Sequence, residues 1–277
     1  MVIESIWDGD SRNRNSDSGT RAAPDWRDWQ EIIRQMATTQ SQVIGLNGLV
    51  FTYDSLNNLS VFTGIGVDPI LLFSDPLITR FGGLSDYTEF EIDGTMVFNG
   101  DATVWDDVRV PLSAVRVGAA QVPDFSQVAD NGSGSVGVYA FIFPDNTLKQ
   151  VFFALQMPHS YKLGTDLHPH VHWMPQTTNT GTVNWELEYS IISINGVMPN
   201  TTLVTLPDDG AGVVNTHQLA ENADITGTGL GLSSMMLGRL SRNGGAGADN
   251  FTGDAALLEF DLHFEKDTVG SRMELIK

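Results

Sequence analysis

Short apolar runs separated by turn residues fill the sequence from residue 41 onward. The pattern predicts strands over residues 103–110, 136–143, 150–157, 167–173, 183–194 and 257–265. The last of these, LLEFDLHFE, alternates, so that Leu258, Phe260, Leu262 and Phe264 share one face. The run QVFFALQM over 150–157 is almost continuously apolar, as expected of a strand covered on both faces. The turn HSYKLGTD is expected to link it to the strand over 167–173 as a pair. Asp93-Gly94 and Asn195-Gly196 are hairpin signals. Residues 207–250, rich in Gly, Asn and Asp, read as long loops around short strands. Closely spaced strands without an internal repeat predict an all-β fold, with a jelly-roll-like β-sandwich body over residues 99–277.

The first 40 residues follow another pattern. Residues 1–24 read as an arm, because the stretch DGDSRNRNSDSG has no apolar residue and cannot offset its own ordering entropy. Residues 25–40 predict one short helix, started by Pro24 and Asp25. Trp26, Trp29, Ile33 and Met36 recur there at spacings of three, four and three, an a/d seam two heptads long. An isolated helix of this length is marginal. It must pack on its own body or on copies of itself. Residues 41–98, with VIGLNGLVFTY, LSVFTGIG, ILLF and YTEFEIDGTMVF, form a small β-rich linker region.

Charge narrows the function classes. The 277-residue chain has 15 basic and 34 acidic residues and a net charge of -19. Nucleic-acid binders cluster Lys and Arg against phosphate, so no nucleic-acid partner is expected. The same field opposes anionic membrane surfaces. No apolar run approaches the ~20 residues that span a bilayer, so no membrane insertion is expected either. The lack of cysteine excludes disulfides and thiolate metal sites.

The main chemical candidates are His168, His170 and His172. On a strand they point to one face, where imidazoles can bind a transition metal. They also satisfy core or interface hydrogen bonds, and Pro169 between them disfavours a central strand. A cupin-type metal site lacks its carboxylate, since Gln176 and Thr177 stand where a Glu is required. Nucleophilic hydrolysis has no G-x-S-x-G elbow. Glu186 and Glu188 share a strand face, but alternation with Trp185, Leu187 and Tyr189 marks a solvated face. NGSGSVG and GTGLGLSS lack the Lys of a phosphate-binding loop. Trp105, Trp173 and Trp185 fall in predicted strands, where core packing is the default.

Four segments, in order, resemble a known family: ATVWDDVRVPL from Ala102, MPHSYKLGTDLHPHVHW from Met157, NWELEY from Asn184, and FDLHFEKDTVGSR from Phe260. The set is similar to structural proteins of tailed-phage virions, of head, neck or tail decoration, fibre or spike type, and covers residues 90–277. The resemblance implies a non-enzymatic virion component that assembles as an oligomer, with a homotrimer expected. It implies other virion proteins as partners: capsid, portal, adaptor or tail proteins. Residues 1–40 would then serve attachment and trimerisation through Trp26, Trp29, Ile33 and Met36. No cofactor is expected; a transition metal at His168, His170 and His172 is the alternative to a hydrogen-bonding role for these rings. A receptor- or glycan-binding tip protein and a metal-dependent enzyme built on the histidines are the alternatives.

Overall fold

A computed structural model describes residues 41–46, 49–54, 59–64, 70–75, 78–91, 94–221, 223–274 and 276. The expected arm and helix, with Trp26, Trp29, Ile33 and Met36, lie outside the described residues. Among the described residues the regular elements are all strands apart from two three-residue 3-10 turns. The chain forms two compact units that divide between Thr103 and Val104.

The first unit is one antiparallel meander. Its strands are β1 (Ser41–Leu46), β2 (Leu49–Asp54), β3 (Leu59–Gly64), β4 (Ile70–Asp75), β5 (Ile78–Gly82), β6 (Tyr87–Glu91) and β7 (Met96–Asn99), and each pairs with the next. The short connections leave no length for crossovers, so sequence neighbours become sheet neighbours. Across β5 and β6, Arg80 Nε lies 2.5 Å from Glu89, and its guanidinium sits 4.5 Å over the Tyr87 ring.

The second unit is a two-sheet sandwich. Its strands are β8 (Val104–Pro111), β9 (Asp124–Ala129), β10 (Val138–Phe143), β11 (Leu148–Gln156), β12 (Leu167–Pro175), β13 (Thr182–Ile192), β14 (Thr202–Asp209), β15 (Gln218–Ala220), β16 (Met235–Asn243) and β17 (Ala255–Lys266). One sheet runs β15-β12-β17-β10-β9, with β8 also paired to β17; the other runs β11-β16-β13-β14. β17 is long enough to hold two partners along one edge, β10 at Ala255–Leu257 and β8 at Glu259–Lys266. The chain repeatedly crosses between the sheets, as in a jelly roll.

Aromatic side chains fill the space between the sheets. Phe153 of β11 meets Phe260 of β17 with centroids 4.6 Å apart. Trp185 of β13 meets Phe143 of β10 at 5.0 Å and Trp173 of β12 at 6.4 Å. Trp173 and Trp185 are fully buried. Gly238 in β16 has a packing role. A Cβ there would come within 2.2 Å of the Phe153 ring on the paired strand.

Several strand-level expectations change. The run over 150–157 is not covered on both faces: Val151, Phe153 and Leu155 are buried while Phe152, Ala154 and Gln156 are exposed. β11 is an edge strand with one wet face. Nor do β11 and β12 pair, since the segment between them passes from one sheet to the other. On β17, Phe260, Leu262 and Phe264 are buried, but Leu257 rather than Leu258 joins the core. A bulge opposite His172 and Trp173 shifts the register there. Within 207–250 the structure holds β16, at nine residues longer than the short strands expected there, while most of the described residues of that stretch lie outside strands, as expected.

Candidate functional site

The polar centre of the sandwich lies on the outer face of the larger sheet. On β12 the inward positions are Leu167, Val171 and Trp173, all buried. Alternation therefore sends His168, His170 and His172 outward together. Register then sets their neighbours. His168 is opposite His263, His170 opposite Asp261, and His172 opposite Glu259 on β17. One strand further, Asp107 stands opposite His263 and Arg109 opposite Asp261 on β8.

Pro169 is tolerated because of the side its nitrogen faces. The Leu167 N–H donates to Ile225 O at 2.9 Å, away from β17. Two residues on, the Pro169 nitrogen faces the same way. β15 pairs with β12 only over Val171–Trp173, so no ladder bond is lost at Pro169.

A segment from His217 to Ile225 lies along this edge of the sheet and meets each histidine in turn. His172 Nδ1 is 2.8 Å from His217 Nε2. His170 Nε2 is 3.8 Å from Glu221. His168 Nδ1 is 2.7 Å from Asp224. Reciprocal Leu167–Ile225 backbone bonds of 2.9 Å close its far end.

Asp261 anchors the cluster from below and is nearly fully buried. Its Oδ2 accepts from His172 Nε2 at 2.8 Å. Its Oδ1 is 3.3 Å from His170 Nδ1, without the alignment of a hydrogen bond. Burial pushes the Asp261 carboxyl up, but the two histidines together outweigh it and bring the pKa down to about 2. The bond to Asp261 raises the His172 pKa above its ordinary value, against an opposing effect of burial. Arg109 donates twice to Glu259 on the same face.

Trp105 completes the face. It is 51% exposed, contrary to the expected core placement, because its position on β8 points away from the other sheet. Its ring packs against His168 at 5.1 Å and His263 at 5.6 Å. His263 Nε2 in turn lies 3.0 Å from Asp107.

The structure thus brings His168, His170 and His172 together with Asp107, His217, Glu221, Asp224, Asp261 and His263. The alternation in FDLHFE already places Asp261 and His263 on the polar face, a signal open to sequence reading. No periodicity marks the His217–Asp224 contribution. Among the described residues no group of three His, Asp or Glu side chains is placed to hold a metal ion.

A second polar cluster involves the remaining histidine. His159 Nδ1 is 2.5 Å from Ser271 Oγ and its Nε2 is 2.9 Å from Ser233 Oγ.

No family model matches the sequence, and no curated protein matches it. By structure the chain is similar to CBM35 from Cellvibrio japonicus Abf62, with 14% identity, 62% of this chain and 99% of that one covered, and a TM-score of 0.32. It is also similar to the Clostridium thermocellum xylanase 10B CBM22-1-GH10 modules complexed with xylohexaose, at 14% identity, 61% and 30% coverage, and a TM-score of 0.32. A third similarity is to infectious bursal disease virus, Gt strain, at 10% identity, 84% and 46% coverage, and a TM-score of 0.29.

Proposed function

We propose that this chain is a structural component of a tailed-phage virion, of head, neck or tail decoration, fibre or spike type, and that it assembles as a homotrimer with other virion proteins as partners. The observation that carries the reading is where the family-like segments fall. ATVWDDVRVPL, GTDLHPHVHW and FDLHFEKD lie on β8, β12 and β17, three adjacent strands whose outward residues form one polar patch. The outlying pieces also meet, since His159 of MPHS touches Ser271 of GSR. Residues distant in sequence but joined in space behave as parts of one specified fold rather than as chance similarity of composition. The proposal assigns no catalytic step to the chain. Deleting its gene from the phage genome tests the reading. Particles should then lack a defined feature or fail to assemble, whereas unchanged morphology and infectivity would overturn it.

A second reading has one observation in its favour. Trp105 is a half-exposed indole on a polar sheet face, as suits a tip or decoration domain that contacts host-surface glycan. It is compatible with a virion location and adds a binding task to it.

A further inference from the structure

We infer that Trp105 is the platform of a carbohydrate-binding site, specific for neutral sugars, on the outer face of the larger sheet of the sandwich. The inference rests on the glycan-contact reading above and names its site and ligand class.

An exposed tryptophan is ordinarily free to move. Trp105 is not, because two imidazoles support it from the sheet, His168 at 5.1 Å and His263 at 5.6 Å between centroids. Each imidazole is itself tied to a carboxylate. His168 Nδ1 is 2.7 Å from Asp224 Oδ1, and His263 Nε2 is 3.0 Å from Asp107 Oδ1. The ring is therefore held in place before any ligand arrives, which lowers the ordering cost of binding. Half of its surface still faces solvent.

A pyranose ring suits this arrangement. Its C–H face is apolar and flat enough to lie on an indole, while its hydroxyls need acceptors at the ring's edge. Asp107 and Asp224 each engage a histidine through one oxygen, and the second oxygen of each lies outside that contact. Carboxylate oxygens only accept, and sugar hydroxyls can donate to them.

Charge selects among sugars. Asp107 and Asp224 flank the platform through His263 and His168 in a chain of net charge -19, so sialylated, uronic or phosphorylated glycans are repelled. An apolar protein surface docked here would strip water from the same carboxylates without replacing their hydrogen bonds. A quaternary ammonium ligand is disfavoured for a different reason. Its recognition uses several rings arranged as a cage, whereas Trp105 offers one open face, and the nearest carboxylates already face imidazoles.

The test is binding of the purified full chain to an array of neutral and charged glycans. Binding to one or more neutral glycans is expected. Trp105→Ala should weaken it by about tenfold or more, with an unchanged melting temperature because the side chain is half exposed. Trp105→Phe, which keeps an aromatic face, should retain part of the binding. If Trp105→Ala also lowers the melting temperature, the Phe variant decides: a stable Phe variant without residual binding counts against the platform. Absence of any neutral ligand, binding only to charged glycans or basic peptides, or full binding by Trp105→Ala would overturn the site. The purified chain is used, so failure here leaves the virion reading standing, and absence of the chain from particles leaves this result standing.

Discussion

Arg242 shows most clearly how single side chains hold this sandwich together. It is completely buried. Its guanidinium donates to both Asp249 oxygens at 2.8 and 2.9 Å, and to the carbonyls of Phe143, Phe251 and Gly253 at 2.7–2.8 Å. One side chain therefore satisfies a carboxylate and three backbone acceptors that would otherwise be buried without donors. Arg242→Met should cost about 3–5 kcal/mol, because it leaves a buried charge unpaired. In Arg242→Met/Asp249→Leu the charge is gone but the three carbonyls remain without donors, so denaturant titration should show only partial recovery. Full recovery would contradict this account. The pair His172–Asp261 makes a pH-dependent contribution. The folded His172 pKa lies above 6.5, so its contribution is complete below that pH and is lost as pH rises through the folded value. Asp261 falls from 3.8 to about 2, so its contribution is present above pH 3.8 and is lost as pH falls toward 2. The shift corresponds to about 2 kcal/mol. The pair should stabilise most between these limits, and Asp261→Asn should flatten the pH dependence of the melting temperature on both sides. Chelator should leave the melt of the unsubstituted protein unchanged, because His168, His170 and His172 each already face a carboxylate or imidazole of the protein. Sequence alternation was enough to find the three outward histidines. It could not find Arg242, because nothing in SRNGG distinguishes a buried cation from an exposed one.

Strands were legible in proportion to how their surroundings matched their pattern. β12, β13 and, from Phe260 onward, β17 follow the expected alternation because one face of each meets the core and the other meets solvent or polar partners. β11 misled for the opposite reason. Phe152 is a large apolar residue on the wet face of an edge strand, so composition suggested two covered faces where only one exists. The pairing of β11 with β16 rather than β12 depends on a chain crossing, which local patterns do not encode. The short β15 and its flanks were least legible, because their order comes from tertiary contacts: three histidine contacts and the Leu167–Ile225 bridge. If those contacts hold the segment, His172→Ala should raise amide exchange across residues 217–225 by about tenfold or more and leave β13 and β16 unchanged. Mass-spectrometric exchange that rises equally everywhere, or nowhere, would show that the histidines do not act as local ties.

The whole chain divides into a seven-stranded meander and a separate sandwich, joined at Thr103 and Val104. The sequence reading sets its boundary between residues 98 and 99, because the runs up to Asn99 are short and glycine-broken, whereas those beyond are longer. The proposed homotrimer rests on the Trp26, Trp29, Ile33 and Met36 seam and on the family resemblance, and closed cyclic symmetry is the usual outcome of such self-association. Light scattering at micromolar concentration should give three times the chain mass, and a monomer alone would contradict it. Removing residues 1–40 should return the scattering mass toward that of one chain. The proposed virion role requires the chain to be present in finished particles in fixed proportion. Quantitative mass spectrometry of gradient-purified particles, with the major capsid protein as the internal ruler, measures this. The chain should co-sediment with infectious particles at a constant ratio through successive gradients. If it stays in the soluble fraction of the lysate, or its ratio to capsid falls with each purification step, it is not a structural part of the virion.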